Sequence, residues 1–81
     1  MLYKLGWINQ LKEGEDIPTI SYSDIIFSRK ELAIKKAHEL SKIREKQTGN
    51  PHIRIECWTL EEDMSGNIDL DELIDIIDIN Y

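Results

Sequence analysis

Glu61-Glu62-Asp63-Met64-Ser65-Gly66-Asn67-Ile68-Asp69-Leu70-Asp71-Glu72-Leu73-Ile74-Asp75-Ile76-Ile77-Asp78-Ile79-Asn80-Tyr81 forms the last quarter of an 81-residue chain, and its fold decides what covers the rest. Residues 61–67 are polar and contain a Ser-Gly-Asn turn signal, so they read as a loop. Leu70, Leu73, Ile74 and Ile77 then recur at helical spacing and would face inward. Asp69 with Glu72 three residues later fits a capping box. The spacing therefore predicts a short helix after Asp69, with Ile79-Asn80-Tyr81 fraying or adding a little edge strand.

Upstream, His52 to Leu60 alternates. Ile53, Ile55 and Cys57 point one way, while Arg54, Glu56, Trp58 and Leu60 point the other, as in a strand. Before it, Ser28-Arg29-Lys30-Glu31 fits a capping box for a helix running to about Gln47. Ala33, Ala37, Leu40 and Ile43 supply its buried stripe, and Glu31 and Lys35 are spaced for an i,i+4 pair on the charged face. Thr48-Gly49-Asn50-Pro51 ends it, with glycine suited to a left-handed cap. Earlier still, Tyr3, Leu5, Trp7 and Leu11 give a first strand, and Lys12-Glu13-Gly14-Glu15-Asp16 a turn. Thr19 to Phe27 gives a second strand with Ile20, Tyr22 and Ile26 on one face, so the two form an antiparallel hairpin. The expected fold is α+β, a two-layer ββαβα domain spanning residues 1–81. Its three-stranded, mainly antiparallel sheet carries the long helix on one face, and the short C-terminal helix shelters Trp58 and Leu60 on the other.

At this length one domain is the limit, and 41% apolar residues suffice for one modest core. There is no run of about 18 apolar residues for a membrane span, and Met1–Gln10 lacks the pattern of a signal peptide. One cysteine, Cys57, forms no internal disulfide, so the expected location is a reducing cytoplasm. Isoleucine dominates and valine is absent, a composition typical of AT-rich genomes and pointing to a bacterium or a virus-infected host cell.

Charge is segregated along the chain. Residues 1–54 hold ten Lys and Arg against seven acids, for +3, whereas residues 55–81 hold nine acids and no base, for −9. On the expected C-terminal helix Asp71, Asp75 and Asp78 fall on one stripe, an arrangement that helix stability alone disfavours. With Glu61, Glu62 and Asp63 on the adjoining loop they make a negative surface suited to a basic protein partner. Trp58 is the candidate anchor beside it. Neutralisation of the basic half by these acids is the competing internal role.

Glu61 to Glu72 also resembles the twelve-residue EF-hand calcium loop. Asp63, Ser65, Asp69 and Glu72 match ligand positions, and Gly66 matches the sharp turn. The resemblance implies a hard-cation site, and it covers these twelve residues alone. Glu61 stands where the family carries aspartate, and a strand pattern precedes the loop where the family has a helix. A plain turn accounts for the same letters.

Catalytic patterns are missing from the sequence. His38 and His52 have no zinc-ligand spacing, Cys57 alternates with core isoleucines, and the serines lie outside any nucleophile elbow. No cofactor is expected. The basic residues of 29–46 (Arg29, Lys30, Lys35, Lys36, Lys42, Arg44 and Lys46) would suit phosphates, but Glu31, Glu39 and Glu45 are interleaved, so a solvated salt-bridged face is the better account. The sequence thus points to a non-enzymatic protein-binding module, of the kind a phage or mobile element uses to inhibit a nucleic-acid-handling protein. The calcium loop and a small nucleic-acid binder stand as alternatives.

Overall fold

The first hairpin forms, although its first strand ends at Ile8, short of the expected Leu11, and its register shifts between Lys4 and Gly6. In the computed structural model, which describes residues 1–11 and 13–80, β1 (Leu2–Ile8) pairs antiparallel with β2 (Ile20–Phe27). Lys12 of the expected turn and Tyr81 of the expected end lie outside the described residues. The helix α1 (Lys30–Thr48) follows, then β3 (Ile53–Glu62) and β4 (Ile68–Ile79). The strand order is β2-β1-β3-β4, every neighbouring pair antiparallel. β2 and β3 flank β1 in the same direction, so α1 is the crossover between them and lies on one face of the sheet.

The α+β class stands, but the three-stranded sheet and the short C-terminal helix do not: residues 68–79 form a fourth strand. Five isoleucines in that segment favour extended backbone, because branching at Cβ restricts χ1 against a helical turn. The helix-like spacing has a specific source. The β3–β4 register shifts between Cys57 and Trp58 and again between Trp58 and Leu60, so β4 carries two bulges. Each adds one residue to a period of two. The result is apolar residues at 70, 73, 74 and 77, the same offsets a helix would give. Asp69 and Glu72 form no capping box; Asp69 faces Glu61 across the strands, and the Glu72 amide donates to Thr59 Oγ1.

The core is the contact of α1 with one sheet face. Leu5, Ile53 and Ile55 are fully buried there with Ala33 and Ala37, and Ile79 adjoins them. Tyr3, Trp7, Phe27, Ile34, Leu40 and Ile77 close round it. Small side chains at Ala33, Ala37 and Ser41 let the helix backbone approach the strands. Ser41 Oγ, fully buried, donates to the Pro51 carbonyl and so ties the helix to the start of β3. Ile43, expected in the stripe, is 48% exposed. Its place is taken by Ser41 and by Arg44, whose guanidinium lies over the Trp7 ring at 5.4 Å.

The helix ends as expected, with Gly49 at φ 75 and its N–H bonded to the Glu45 carbonyl. Its start differs. Arg29 is the N-cap residue without a side-chain cap, and its guanidinium holds Glu31 at 2.9 Å, which removes Glu31 both from the expected capping box and from the expected pair with Lys35. Among the described residues, no helix is long and apolar enough to cross a membrane.

Candidate functional site: a bare sheet face and an acidic ribbon

Among the described residues, the sheet face away from α1 has no second layer. Alternation places Lys4, Gly6 and Ile8 of β1 on it, opposite Ile26, Tyr22 and Ile20 of β2 and beside Arg54, Glu56 and Trp58 of β3. Its centre is Glu56, 2% exposed on a face that nothing covers. Neighbouring side chains bury it. Tyr22 Oη donates to Glu56 Oε2 at 2.8 Å, Trp58 Nε1 donates to Oε1 at 2.9 Å, and Arg54 Nε sits 3.1 Å from Oε2. Two hydrogen bonds and a neighbouring cation thus take the place of the water that a buried carboxylate gives up.

Gly6 makes this reach possible. Tyr22 starts on edge strand β2 and must cross β1 to touch β3. A Cβ on Gly6 would meet the Tyr22 ring at 3.0 Å and the Ser21 carbonyl at 3.2 Å. The glycine is therefore the floor under the ring, an aromatic lying over a strand glycine. Lys4 Nζ lies 4.0 Å from the centroid of the same ring. Burial, and then the bond to Glu56, raise the Tyr22 pKa above 10.0, so the phenol remains a donor throughout the physiological range. Around this polar centre lie exposed Ile8, Ile20 and Ile26 on one margin and Leu60, Leu73 and Ile76 on the other.

The second feature is a projection. β1 pairs with β3 only from Arg54 to Trp58, so the strands from Thr59 to Glu72 run beyond the sheet as a two-stranded ribbon. Its tip is the turn after Asp63. There Asp63 Oδ1 accepts from the Ser65 and Asn67 amides at 2.8 and 2.9 Å, Oδ2 accepts from Asn67 Nδ2, and Gly66 takes φ 82. The bond from the Asn67 amide is the largest reason the Asp63 pKa lies below 3.8. Met64 at the tip is fully exposed.

The acids expected to share one face are divided by this geometry. Glu61, Glu62, Asp63 and Asp71 belong to the ribbon, together with Asp69 and Glu72. Asp75 lies on the sheet body, opposite Cys57 on the helix side, while Asp78 lies on the bare side opposite Arg54 and bonds His52 Nε2 at 2.7 Å. The single stripe of Asp71, Asp75 and Asp78 therefore does not exist. Trp58 stands at the ribbon's base, half-buried over Glu56 rather than under a helix.

Like charges meet across the ribbon. Glu61 and Asp69 are direct cross-strand partners, an arrangement that destabilises a sheet. Among the described residues, the ion pairs join Arg29 to Glu31, Lys36 to Glu39, His52 to Asp78 and Arg54 to Glu56, and none reaches a ribbon carboxylate.

The calcium-loop letters take another arrangement. Asp63 uses both oxygens on the turn, Ser65 contributes its amide to that turn, and Asp69 and Glu72 sit along an extended strand. Among the described residues no group of three or more His, Cys, Asp or Glu is gathered to hold a metal ion. Cys57 is 4% exposed, and burial, then the Asp75 charge, push its thiol pKa up, the opposite of what a nucleophile needs.

Sequence reading found the acids and Trp58 but missed the cluster of Tyr22, Gly6, Arg54 and Glu56. The available signal was Gly6 inside an otherwise apolar strand, with Arg54, Glu56 and Trp58 sharing the polar phase of β3. Comparison with known protein families, curated proteins and solved structures finds no match. The geometry defines the class by itself: a four-stranded antiparallel sheet with one helix on one face, an uncovered opposite face and a projecting acidic hairpin.

Proposed function

We propose that this chain is a protein-binding module whose acidic ribbon, residues 59–72, docks on a basic surface of a partner protein. One observation carries the reading. Glu61 and Asp69 face each other on a projection without a base, although such a pair weakens the hairpin that holds it. An arrangement that costs stability and is joined by no ion pair among the described residues is suited to finding a cation outside. Complementary charge of this kind mainly accelerates and orients association.

Carboxylates spaced along an extended strand also match a surface that otherwise holds nucleic-acid phosphates. The finer reading is therefore an inhibitor, of the kind phages or mobile elements carry, that occupies the basic groove of a nucleic-acid-handling protein. Relative to the sequence expectation, the docking set contracts to the ribbon, with Trp58 at its base; Asp75 and Asp78 fall outside it.

Binding to an immobilised lysine-rich peptide at rising salt tests the ribbon. Retention should fall with ionic strength, and Glu61→Lys with Asp71→Lys should weaken it at least about tenfold and flatten the salt dependence. Unchanged retention in that variant would refute the reading.

A further inference from the structure

The bare sheet face has a different chemistry from the ribbon, and it calls for a different occupant. The protein is a slab of 44 × 32 × 19 Å with a radius of gyration of 14.3 Å. A compact chain of this length would have a radius of about 11.7 Å. Its accessible surface is 5834 Å², whereas area scaling for 9.5 kDa gives about 5,000 Å². The surplus of about 800 Å² equals one partner's share of a standard interface. The uncovered face shares it with the ribbon and with the exposed loop between β1 and β2.

We propose that the bare face is the seat of a second copy of this chain, the two sheets packing face to face with their helices outside. The charges on the face argue for a copy over a basic partner. Glu56 is already held by Tyr22, Trp58 and Arg54, and Lys4 lies over the Tyr22 ring, so a basic element would meet no free carboxylate at the centre. Two such faces instead offer each other aromatic and aliphatic margins, 38–47% exposed at Ile8, Ile20, Ile26, Leu60, Leu73 and Ile76. Burying them supplies the hydrophobic term that a two-layer domain this small leaves unused.

A two-fold axis brings the same patch to both sides of the contact, and twisted sheets stack in this way about 10 Å apart. Repulsion between the acidic ribbons does not prevent it. An axis along the strands lays the β2 margin of one copy over the β4 margin of the other, and an axis across the strands sends the ribbons to opposite ends. In neither arrangement do the acidic ribbons stack.

Sedimentation equilibrium of the full chain, from micromolar to millimolar concentration, tests the proposal. The expected mass rises from 9.5 kDa to twice that value. Ile20→Lys and Ile76→Lys, made singly, should each weaken the dimer about a hundredfold or more, since each buries an unpaired ammonium. Ile43→Lys, on the outer side of α1, should leave it unchanged, and circular dichroism confirms that each variant is folded. A monomer at millimolar concentration overturns the proposal, as does a dimer equally tight in folded Ile20→Lys and Ile76→Lys. The ribbon reading fails separately: it is lost if the Glu61→Lys, Asp71→Lys protein binds the lysine-rich peptide unchanged, whatever the oligomeric state.

Discussion

The sheet body and the ribbon treat acidic residues in opposite ways. In the body Glu56 is almost fully buried, and a phenol, an indole and a guanidinium surround it. In the ribbon Glu61 faces Asp69 in full solvent, and no ion pair among the described residues reaches either. A paired, desolvated acid holds the strands of a fold together. An unpaired, solvated one leaves its charge available to another molecule. Acidity along the chain is therefore one compositional feature with two physical meanings, and position decides which applies.

The largest expected effect breaks the body side of this contrast. Glu56→Ala leaves Tyr22 Oη, Trp58 Nε1 and the Arg54 charge without their partner, and should cost about 3 kcal/mol in urea denaturation. Gly6→Ala comes next, at about 1–3 kcal/mol, because the new methyl forces the Tyr22 ring away from Glu56. Near-UV circular dichroism should report displacement of that ring. Tyr22 adds a pH limit. Its folded pKa is raised, so its contribution is complete below pH 10.0 and is lost as pH rises through the folded value.

On the ribbon the signs reverse. Glu61→Lys turns a like-charge pair into an opposite one and should stabilise the hairpin by a few tenths of a kcal/mol. A variant that gains stability while losing binding would sharpen the contrast more than one that loses both. The smallest effect is local. Asp63 has a lowered folded pKa, so its hold on the turn is complete above pH 3.8 and fades as pH falls through the folded value. Amide exchange at Ser65 and Asn67 should accelerate there while that of buried Ile55 does not.

How much of this could be read in the chain follows from where periodicity is clean. The buried faces of β1 (Tyr3, Leu5, Trp7) and β3 (Ile53, Ile55, Cys57) repeat at every second residue and α1 is bounded by a glycine cap, so these elements were legible, and β2 was found despite its register shift opposite Lys4 and Gly6. β4 was not, because its two bulges shift the apolar phase into helical offsets. That one misreading moved the acids: Asp71, Asp75 and Asp78 share a helical stripe but separate on a bulged strand. The cluster round Glu56 was hidden for another reason. Tyr22, Gly6 and Glu56 lie far apart in sequence, and only the strand order β2-β1-β3 brings them into line. Charge segregation, by contrast, did not depend on that element, since residues 55–81 hold nine acids and no base whatever they fold into.

The most direct measurement compares the two regions in one assay. Association rates with the lysine-rich peptide would be taken across a salt series for Glu61→Lys with Asp71→Lys on the ribbon, and for Asp75→Lys with Asp78→Lys on the body. The expected result is that the ribbon pair removes most of the salt-dependent rate while the body pair leaves most of it in place. Equal losses in both, or none in either, would contradict a division of labour between the acids of the ribbon and those of the body.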